Sequence, residues 1–96
     1  MKHLTDEQIA RIALHALAKV AESPGQFGRV RCGRAIAVAL RDSIPELTLR
    51  GSVDVIDAML ELGLLTRTAG SRPMLVATAS GHALVRDAGT PAGRTA

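Results

Sequence analysis

The sequence is poor in aromatic residues and in cysteine. Among its 96 residues, Phe27 is the single aromatic side chain, and Trp and Tyr are absent. This excludes nucleic-acid modules that stack bases on aromatic platforms, and aromatic cages for methylated cations. One cysteine, Cys32, excludes an internal disulfide and a cysteine-rich zinc site, so a reducing cytoplasm is the expected location.

Long hydrophobic stretches are missing as well. The longest apolar runs, such as residues 35–40, fall far below the roughly 18 residues that a membrane span needs. The first helix-sized segment carries Asp6, Glu7 and Glu22, so we expect no signal peptide. Hydrophobic residues nevertheless make up 47% of the chain, which suffices for one small core. We expect one small cytoplasmic domain that makes no contact with a membrane.

Charge is distributed in blocks. The net charge is +3 at pH 7, which by itself is a weak indication of nucleic-acid binding. Residues 23–41 contain four arginines and no acid. The charged residues between 42 and 61 are mostly acidic, and those between 62 and 86 are again all cations. Because such blocks usually fold into separate faces, we expect distinct basic and acidic surfaces.

The first half of the chain predicts two helices. Thr5 and Gln8 have the spacing of a capping box, and apolar residues at helical spacing then extend the first helix over about residues 6–22. Residues 27–30 are expected to form a short extended link. The second helix is predicted over about residues 31–41. Its inner face is formed by Cys32, Ile36 and Leu40, and its outer face by Arg31, Arg34 and Arg41.

A third helix is predicted from an N-cap at Ser52 to about Leu62, where Gly63 ends it. Its apolar residues are expected to face inward, with Leu60 buried between the second and third helices. The inward set is Val53, Ile56, Met59 and Leu60. The outward stripe is acidic and consists of Asp54, Asp57 and Glu61.

The remaining chain predicts a hairpin and a closing helical turn. Strands are expected over residues 64–68 and 72–78 around a turn at residues 69–71, followed by helix over residues 80–86. This order predicts a mostly α winged helix-turn-helix domain over residues 1–87, with a disordered tail over residues 88–96. The alternative is a three-helix bundle with an incidental hairpin.

Several short segments resemble the RQC domain, the winged-helix DNA-binding domain of RecQ-type helicases. They are residues 27–30 (FGRV), 40–43 (LRDS), 58–65 (AMLELGLL) and Thr78 with Gly81. The similarity extends over nearly all of residues 6–87, and small stand-alone RQC-minor proteins are most similar in size. It implies that Arg41 and Ser43 contact phosphates, with Asp42 in place of the family's glycine. The predicted wing turn has no aromatic residue, so we expect no duplex opening.

The residues themselves provide further candidate DNA contacts. A winged helix meets DNA through helix N-termini and basic wing residues. Arg50 precedes the predicted third helix, Ser52 starts it, and Arg67 and Arg72 are expected on the two wing strands. The candidate DNA-binding set is Arg31, Arg34, Arg41, Ser43, Arg50, Ser52, Arg67 and Arg72. The alternative is that these are ordinary solvated arginines.

Two functions remain open at this point. The first is a non-enzymatic protein that binds double-stranded or forked DNA mainly through phosphates, with little base discrimination because the chain has no Asn. The second is a winged helix that binds a protein partner through Asp54, Asp57 and Glu61, because an acidic stripe repels phosphate. The scattered histidines and Cys32 favour neither a metal site nor catalysis, and no cofactor is expected.

Overall fold

The computed structural model describes residues 4–89, which fold into four helices and a two-stranded antiparallel sheet. The elements are α1 (Asp6–Glu22), α2 (Arg29–Ala39), α3 (Leu49–Glu61), β1 (Leu65–Arg67), β2 (Leu75–Ala77) and α4 (Ala79–Gly89). Three helices followed by a hairpin and a closing helix give the winged-helix-like architecture that the sequence predicts. Within these residues, no helix has both the length and the apolar character needed to cross a membrane.

The bounds of α1 agree with the prediction, and its start is fixed by hydrogen bonds between residues close in sequence. The Thr5 side chain accepts a hydrogen bond from the backbone N–H of Gln8 at 3.1 Å, and the Gln8 side chain accepts one from the Thr5 N–H at 2.9 Å. This reciprocal capping box satisfies two donors that the first turn leaves without a helical partner. The apolar side of α1 is fully buried at Ile12, Ala16, Leu17 and Val20.

The segment before α2 differs from the predicted link. α2 starts at Arg29 and ends at Ala39, two residues earlier at each end than expected, with Gly28 as its N-cap. The segment just before it forms a turn over residues 23–26 and is hydrogen-bonded to β2. The Gly25 N–H donates to the Leu75 carbonyl at 3.0 Å, and the Leu75 N–H donates to the Phe27 carbonyl at 2.7 Å. The start of α2 is therefore tied to the hairpin.

The N-cap of α3 is Thr48, so the prediction of Ser52 is wrong. Thr48 is extended, and its hydroxyl accepts a hydrogen bond from the Gly51 N–H at 2.9 Å. Ser52 is fully buried within the helix, where its hydroxyl donates to the Thr48 carbonyl at 3.2 Å. Arg50 consequently belongs to the first turn of α3 and does not precede the helix.

The hairpin strands are shorter than predicted and their loop is longer. Leu65 pairs with Ala77 and Arg67 with Leu75, which limits each strand to three residues. Two hydrogen bonds between Thr68 and Met74, at 2.8 and 3.0 Å, close the loop. Arg72 therefore lies in the loop and not on a strand. We call residues 65–77 the wing.

The hairpin and α4 are integral parts of the core. Leu65 and Leu75 are almost completely buried, so the three-helix bundle with an incidental hairpin is wrong. α4 begins after Thr78, whose hydroxyl accepts a hydrogen bond from the Gly81 N–H at 3.1 Å. It continues through residues 88 and 89, which the sequence assigned to the tail. Residues 90–96, the rest of that predicted tail, lie outside the described part of the chain.

The packing between α2 and α3 follows the predicted faces with one exception. Ile36 and Ile56 are completely buried and Leu40 is 9% exposed. Leu60 packs against this core but is only partly buried, so its predicted burial is too strong. Gly33 allows the close approach of the two helices, because a β-carbon there would lie 2.6 Å from Val53 Cγ2.

Candidate nucleic-acid interface

α3 presents a charged face to solvent. The opposite side of the helix is buried, including Val55, Ile56 and Met59. Residues three and four positions apart share one face of a helix. The outward positions are Arg50, Asp54, Asp57 and Glu61. The predicted acidic stripe therefore lies on the surface, and Arg50 extends it at the N-terminal end.

Arg29, at the start of α2, pairs with the central carboxylate of this stripe. Its Nε donates to Asp57 Oδ1 at 2.5 Å and its Nη2 donates to Asp57 Oδ2 at 2.8 Å. Such a bidentate arrangement fixes the orientation of both side chains. The hydrogen bonds from Arg29 hold the pKa of Asp57 below its ordinary value, and the charge of Arg67 acts in the same direction. Asp57 is therefore an ionised carboxylate that Arg29 contacts directly and that the charge of Arg67 also favours.

The other two acids of the stripe, Asp54 and Glu61, form a weak ion pair and no ion pair, respectively, with the described residues. Arg50 Nε lies 3.8 Å from Asp54 Oδ1, but the Arg50 side chain is 90% exposed, so this contact is weak. Glu61 is exposed and forms no ion pair with any described residue. The stripe is consequently not a continuous acidic surface, since the charge of its middle residue, Asp57, is balanced by Arg29 of α2.

The wing carries two exposed arginines. Arg67 lies on β1 and Arg72 in the loop, and neither forms an ion pair with a side chain in residues 4–89. All residues from 66 to 73 are exposed, and Gly70 has a positive φ of 117°, which glycine adopts without strain. The wing therefore presents a small cationic loop to solvent, with Arg72 close to its tip.

The start of α2 adjoins the base of the wing. Phe27, whose carbonyl accepts a hydrogen bond from the Leu75 N–H, lies two residues before Arg29. At Gly28, between them, a β-carbon would lie 3.9 Å from Met74 Sδ. Two arginines that the sequence places in separate cationic blocks, Arg29 and Arg67, consequently act on one carboxylate of α3. The start of α2, the outward face of α3 and the wing form one surface.

The predicted arginine stripe of α2 only partly belongs to this surface. Gly33 contacts α3 through Val53, and successive helical residues point about 100° apart. Arg34 therefore points to the side of this contact, and Arg31 points roughly 160° away from it. Both side chains are exposed. Arg31 accordingly lies across α2 from α3. Arg31 and Arg34 are three positions apart and so share the outer face of α2, as predicted, whereas Arg41 lies beyond the end of the helix.

The remaining candidate residues fall into two groups. Arg41 and Ser43 are exposed, but they lie in the turn after α2, because the helix ends two residues before Arg41. Ser52 is completely buried and its hydroxyl is already bonded to the Thr48 carbonyl. The prediction that Ser52 contacts DNA is therefore wrong, since no external phosphate reaches it in this structure.

Arg29 is the residue that the sequence analysis missed as a site residue. It was assigned to an extended link, and its partner Asp57 is 28 positions away. The available signal was Gly28, a residue that is acceptable as an N-cap and that would have started the helix at Arg29. No feature of the sequence identified the pairing with Asp57, because that depends on how α2 packs against α3.

The structure offers little for covalent or metal chemistry in residues 4–89. Burial raises the pKa of the Cys32 thiol to about 11, so a thiolate nucleophile is disfavoured at neutral pH. No group of three or more His, Cys, Asp or Glu side chains in this range is close enough together to hold a metal ion.

Comparisons with protein-family models, with curated proteins and with solved structures give no match to this chain.

Proposed function

We propose that this chain is a non-enzymatic DNA-binding protein that holds double-stranded or forked DNA through its phosphates. The contact surface consists of the wing, the outward face of α3 and the start of α2. Arg67 and Arg72 supply the wing contacts, and Arg50 lies at the N-terminal end of α3. Arg34 on α2 and Arg41 in the turn after α2 extend the surface. Its proposed location is the cytoplasm, where a free thiol such as Cys32 stays reduced.

The observation that carries this proposal is the joining of α2 to the wing. Residues 25–27 are hydrogen-bonded to Leu75 of the wing, and Arg29 and Arg67 both favour the ionised state of Asp57 on α3. The central residue of the acidic stripe, which as a whole counts against DNA binding, is thus paired with a cation of the same chain. Exposed arginines attract the phosphate backbone and release its counterions, which provides sequence-independent affinity.

The resemblance to RQC domains supports the same proposal. The segments that carry it lie at the start of α2, in the turn after α2, at the junction of α3 with β1 and at the start of α4. Arg41 and Ser43, the phosphate-binding positions that the resemblance implies, are both exposed. The exposed wing loop has no aromatic side chain, so the proposed activity is binding without separation of base pairs.

Base discrimination is expected to be modest. The outward face of α3 offers carboxylates, which can accept a hydrogen bond from cytosine N4, but it has no Asn or Gln for adenine. Phosphate contacts position a protein on the duplex and carry no sequence information. The proposed protein therefore binds many sequences with similar affinity.

Fluorescence anisotropy with a labelled duplex, titrated at several salt concentrations, tests the proposal. Each phosphate contact contributes about −0.9 to the slope of log affinity against log salt. Arg67→Ala is expected to reduce the steepness by about one unit and to weaken binding to all duplexes alike. Arg11→Ala is the matched control, because Arg11 is an exposed arginine on α1, outside the proposed surface.

Three outcomes would contradict the proposal. The first is the absence of salt-dependent duplex binding by the wild-type protein at low ionic strength. The second is an equal effect of Arg67→Ala and Arg11→Ala on the salt slope. The third is single-strand binding about tenfold tighter than duplex binding, because tight single-strand recognition usually depends on aromatic stacking.

A further inference from the structure

α1 and α4 enclose an open groove that the proposed DNA surface does not use. Its volume is about 370 Å³, and its lining residues all belong to these two helices. They are Arg11, Leu14, His15, Ala18, Val85 and Ala88. On α1 they follow the spacing of one helical stripe, and on α4 they are three residues apart. None belongs to α2, α3 or the wing, so a ligand in the groove would leave the DNA surface free.

The groove exists because α4 is close to the rest of the fold at its first turn and carries small residues farther along. Gly81 is buried, and a β-carbon there would collide with the Leu64 carbonyl and lie 3.2 Å from Leu17 Cδ2. Farther along α4, Ala88 lines the groove, as does Ala18 of α1, and both have small side chains.

The lining combines an apolar floor with positive charge. Leu14, Ala18 and Val85 are half-buried and supply the floor. Arg11 is exposed at the edge and forms no ion pair with any side chain in the described range. The charged residues that flank the groove along this side of α1 are Glu7, four positions before Arg11, and Lys19, whose charge acts on His15. No carboxylate lines the groove.

The shape favours a protein segment over a small molecule. Pockets for small ligands enclose most of the ligand surface, whereas this groove is open along one side. An amphipathic helix can lay its apolar face into such a groove and extend beyond it. Leu84, which is 43% exposed on α4 beside Val85, adds apolar surface for a longer partner. Charge complementarity with Arg11 requires acidic residues beside the apolar stripe of that partner.

We propose that the groove between α1 and α4 binds an acidic amphipathic helix of a partner protein, with apolar side chains against Leu14 and Val85 and a carboxylate on Arg11. This gives the chain a second interaction surface, which can be occupied while DNA is bound. The inference does not depend on DNA binding, because the two surfaces share no residue.

The experiment uses two synthetic helical peptides and the complete chain. Both peptides carry leucines at positions i, i+3 and i+7, and they differ only in having glutamates or lysines beside the leucines. The acidic peptide is expected to bind about tenfold more tightly than the basic one, because a charge at the rim of an interface discriminates between partners. Its NMR shift changes are expected in α1 and α4 and not in α3.

Charge reversal identifies the contact with Arg11. Arg11→Glu should weaken binding of the acidic peptide and strengthen binding of the basic one. Arg11→Lys should retain the preference for the acidic peptide. Arg34→Glu is the matched control on α2 and should change neither affinity. Arg11 and Arg34 are both exposed, so the folded state should be retained, which circular dichroism verifies.

Three results would overturn the proposal. Equal affinities for the two peptides would exclude charge recognition by the groove. Equal effects of Arg11→Glu and Arg34→Glu would assign any preference to net charge alone. A dimer in sedimentation experiments that Arg11→Glu dissociates would identify a second copy of this chain as the occupant.

Discussion

Arg29 and Asp57 are 28 positions apart in the sequence and form a bidentate ion pair between the start of α2 and the middle of α3. The two side chains are 43% and 38% exposed, so the pair lies at the surface and not in the core. Its main effect is therefore on the charge of the proposed DNA surface. Asp57 holds the guanidinium of Arg29 across the outward face of α3, where a phosphate would otherwise compete for it.

Asp57→Asn is expected to increase duplex affinity and to make its salt dependence steeper. The substitution releases Arg29 for a phosphate, which should add about one unit to the salt slope. Glu61→Gln is the matched control, because it removes a negative charge from the same face without releasing an arginine. Equal salt slopes for the two variants would show that Arg29 makes no phosphate contact.

Ile56→Ala is expected to destabilise the protein by about 2–5 kcal/mol, because it removes a completely buried side chain and leaves a cavity. Leu60→Ala should cost less than about 2 kcal/mol, since Leu60 is only partly buried and its site stays open to water. Reversible urea denaturation measures both. A larger loss for Leu60→Ala would show that the facing of α3 is wrong.

Gly33→Ala is expected to destabilise the protein by about 1–2 kcal/mol, although alanine favours a helix over glycine by about 1 kcal/mol. The new β-carbon would lie 2.6 Å from Val53 Cγ2, and a β-branched side chain between two helices has no other rotamer to adopt easily. In a Val53→Ala background the same substitution should be neutral or stabilising. Additive effects in this double-mutant cycle would contradict the proposed contact.

The stability of the fold should depend on the ionisation of His15. Burial lowers the pKa of His15 below the ordinary histidine value of 6.5, and the charge of Lys19 lowers it further. His15 therefore binds a proton more readily in the unfolded chain than in the folded protein. Its contribution to the free energy of unfolding is fully present above pH 6.5 and is lost as the pH falls through that value. Denaturation between about pH 8 and about pH 5.5 should show this decrease.

His15→Gln should make the free energy of unfolding less dependent on pH over this interval. His82→Gln is the control, because His82 is exposed on α4. A pH dependence that both substitutions leave intact would assign the effect to other groups. One that His82→Gln alone removes would contradict the role of His15.

The sequence by itself determined the features that depend on neighbouring residues. The start of α1 follows from the capping box at Thr5 and Gln8, since both partners lie within four positions of each other. The buried side of α2 at Cys32 and Ile36 follows from helical spacing. The element order, and with it the winged-helix-like fold, follows from these periods and from the glycine and proline breaks.

Element boundaries were less accurate where two local signals compete. Thr48 and Ser52 are both acceptable N-caps, and the second lies beside a glycine that suggests a break. Thr48 is the N-cap because its backbone is extended and its hydroxyl accepts a hydrogen bond from the Gly51 N–H. Ser52 instead lies inside the helix, where its hydroxyl donates to the Thr48 carbonyl. Ser and Thr are both favoured N-cap residues, so the residue type did not distinguish the two positions, whereas the complete burial of Ser52 did.

Only the tertiary structure decided which charges meet. Arg29, Asp57 and Arg67 come from three elements, and their proximity depends on the packing of α2 on α3 and on the pairing of residues 25–27 with β2. The groove beside Arg11 likewise depends on where α4 lies against α1. Helical spacing places a side chain on a face, but the partner of that face is set by contacts between residues distant in sequence. The sequence therefore determined the elements and their inner sides, and the packing determined the surfaces.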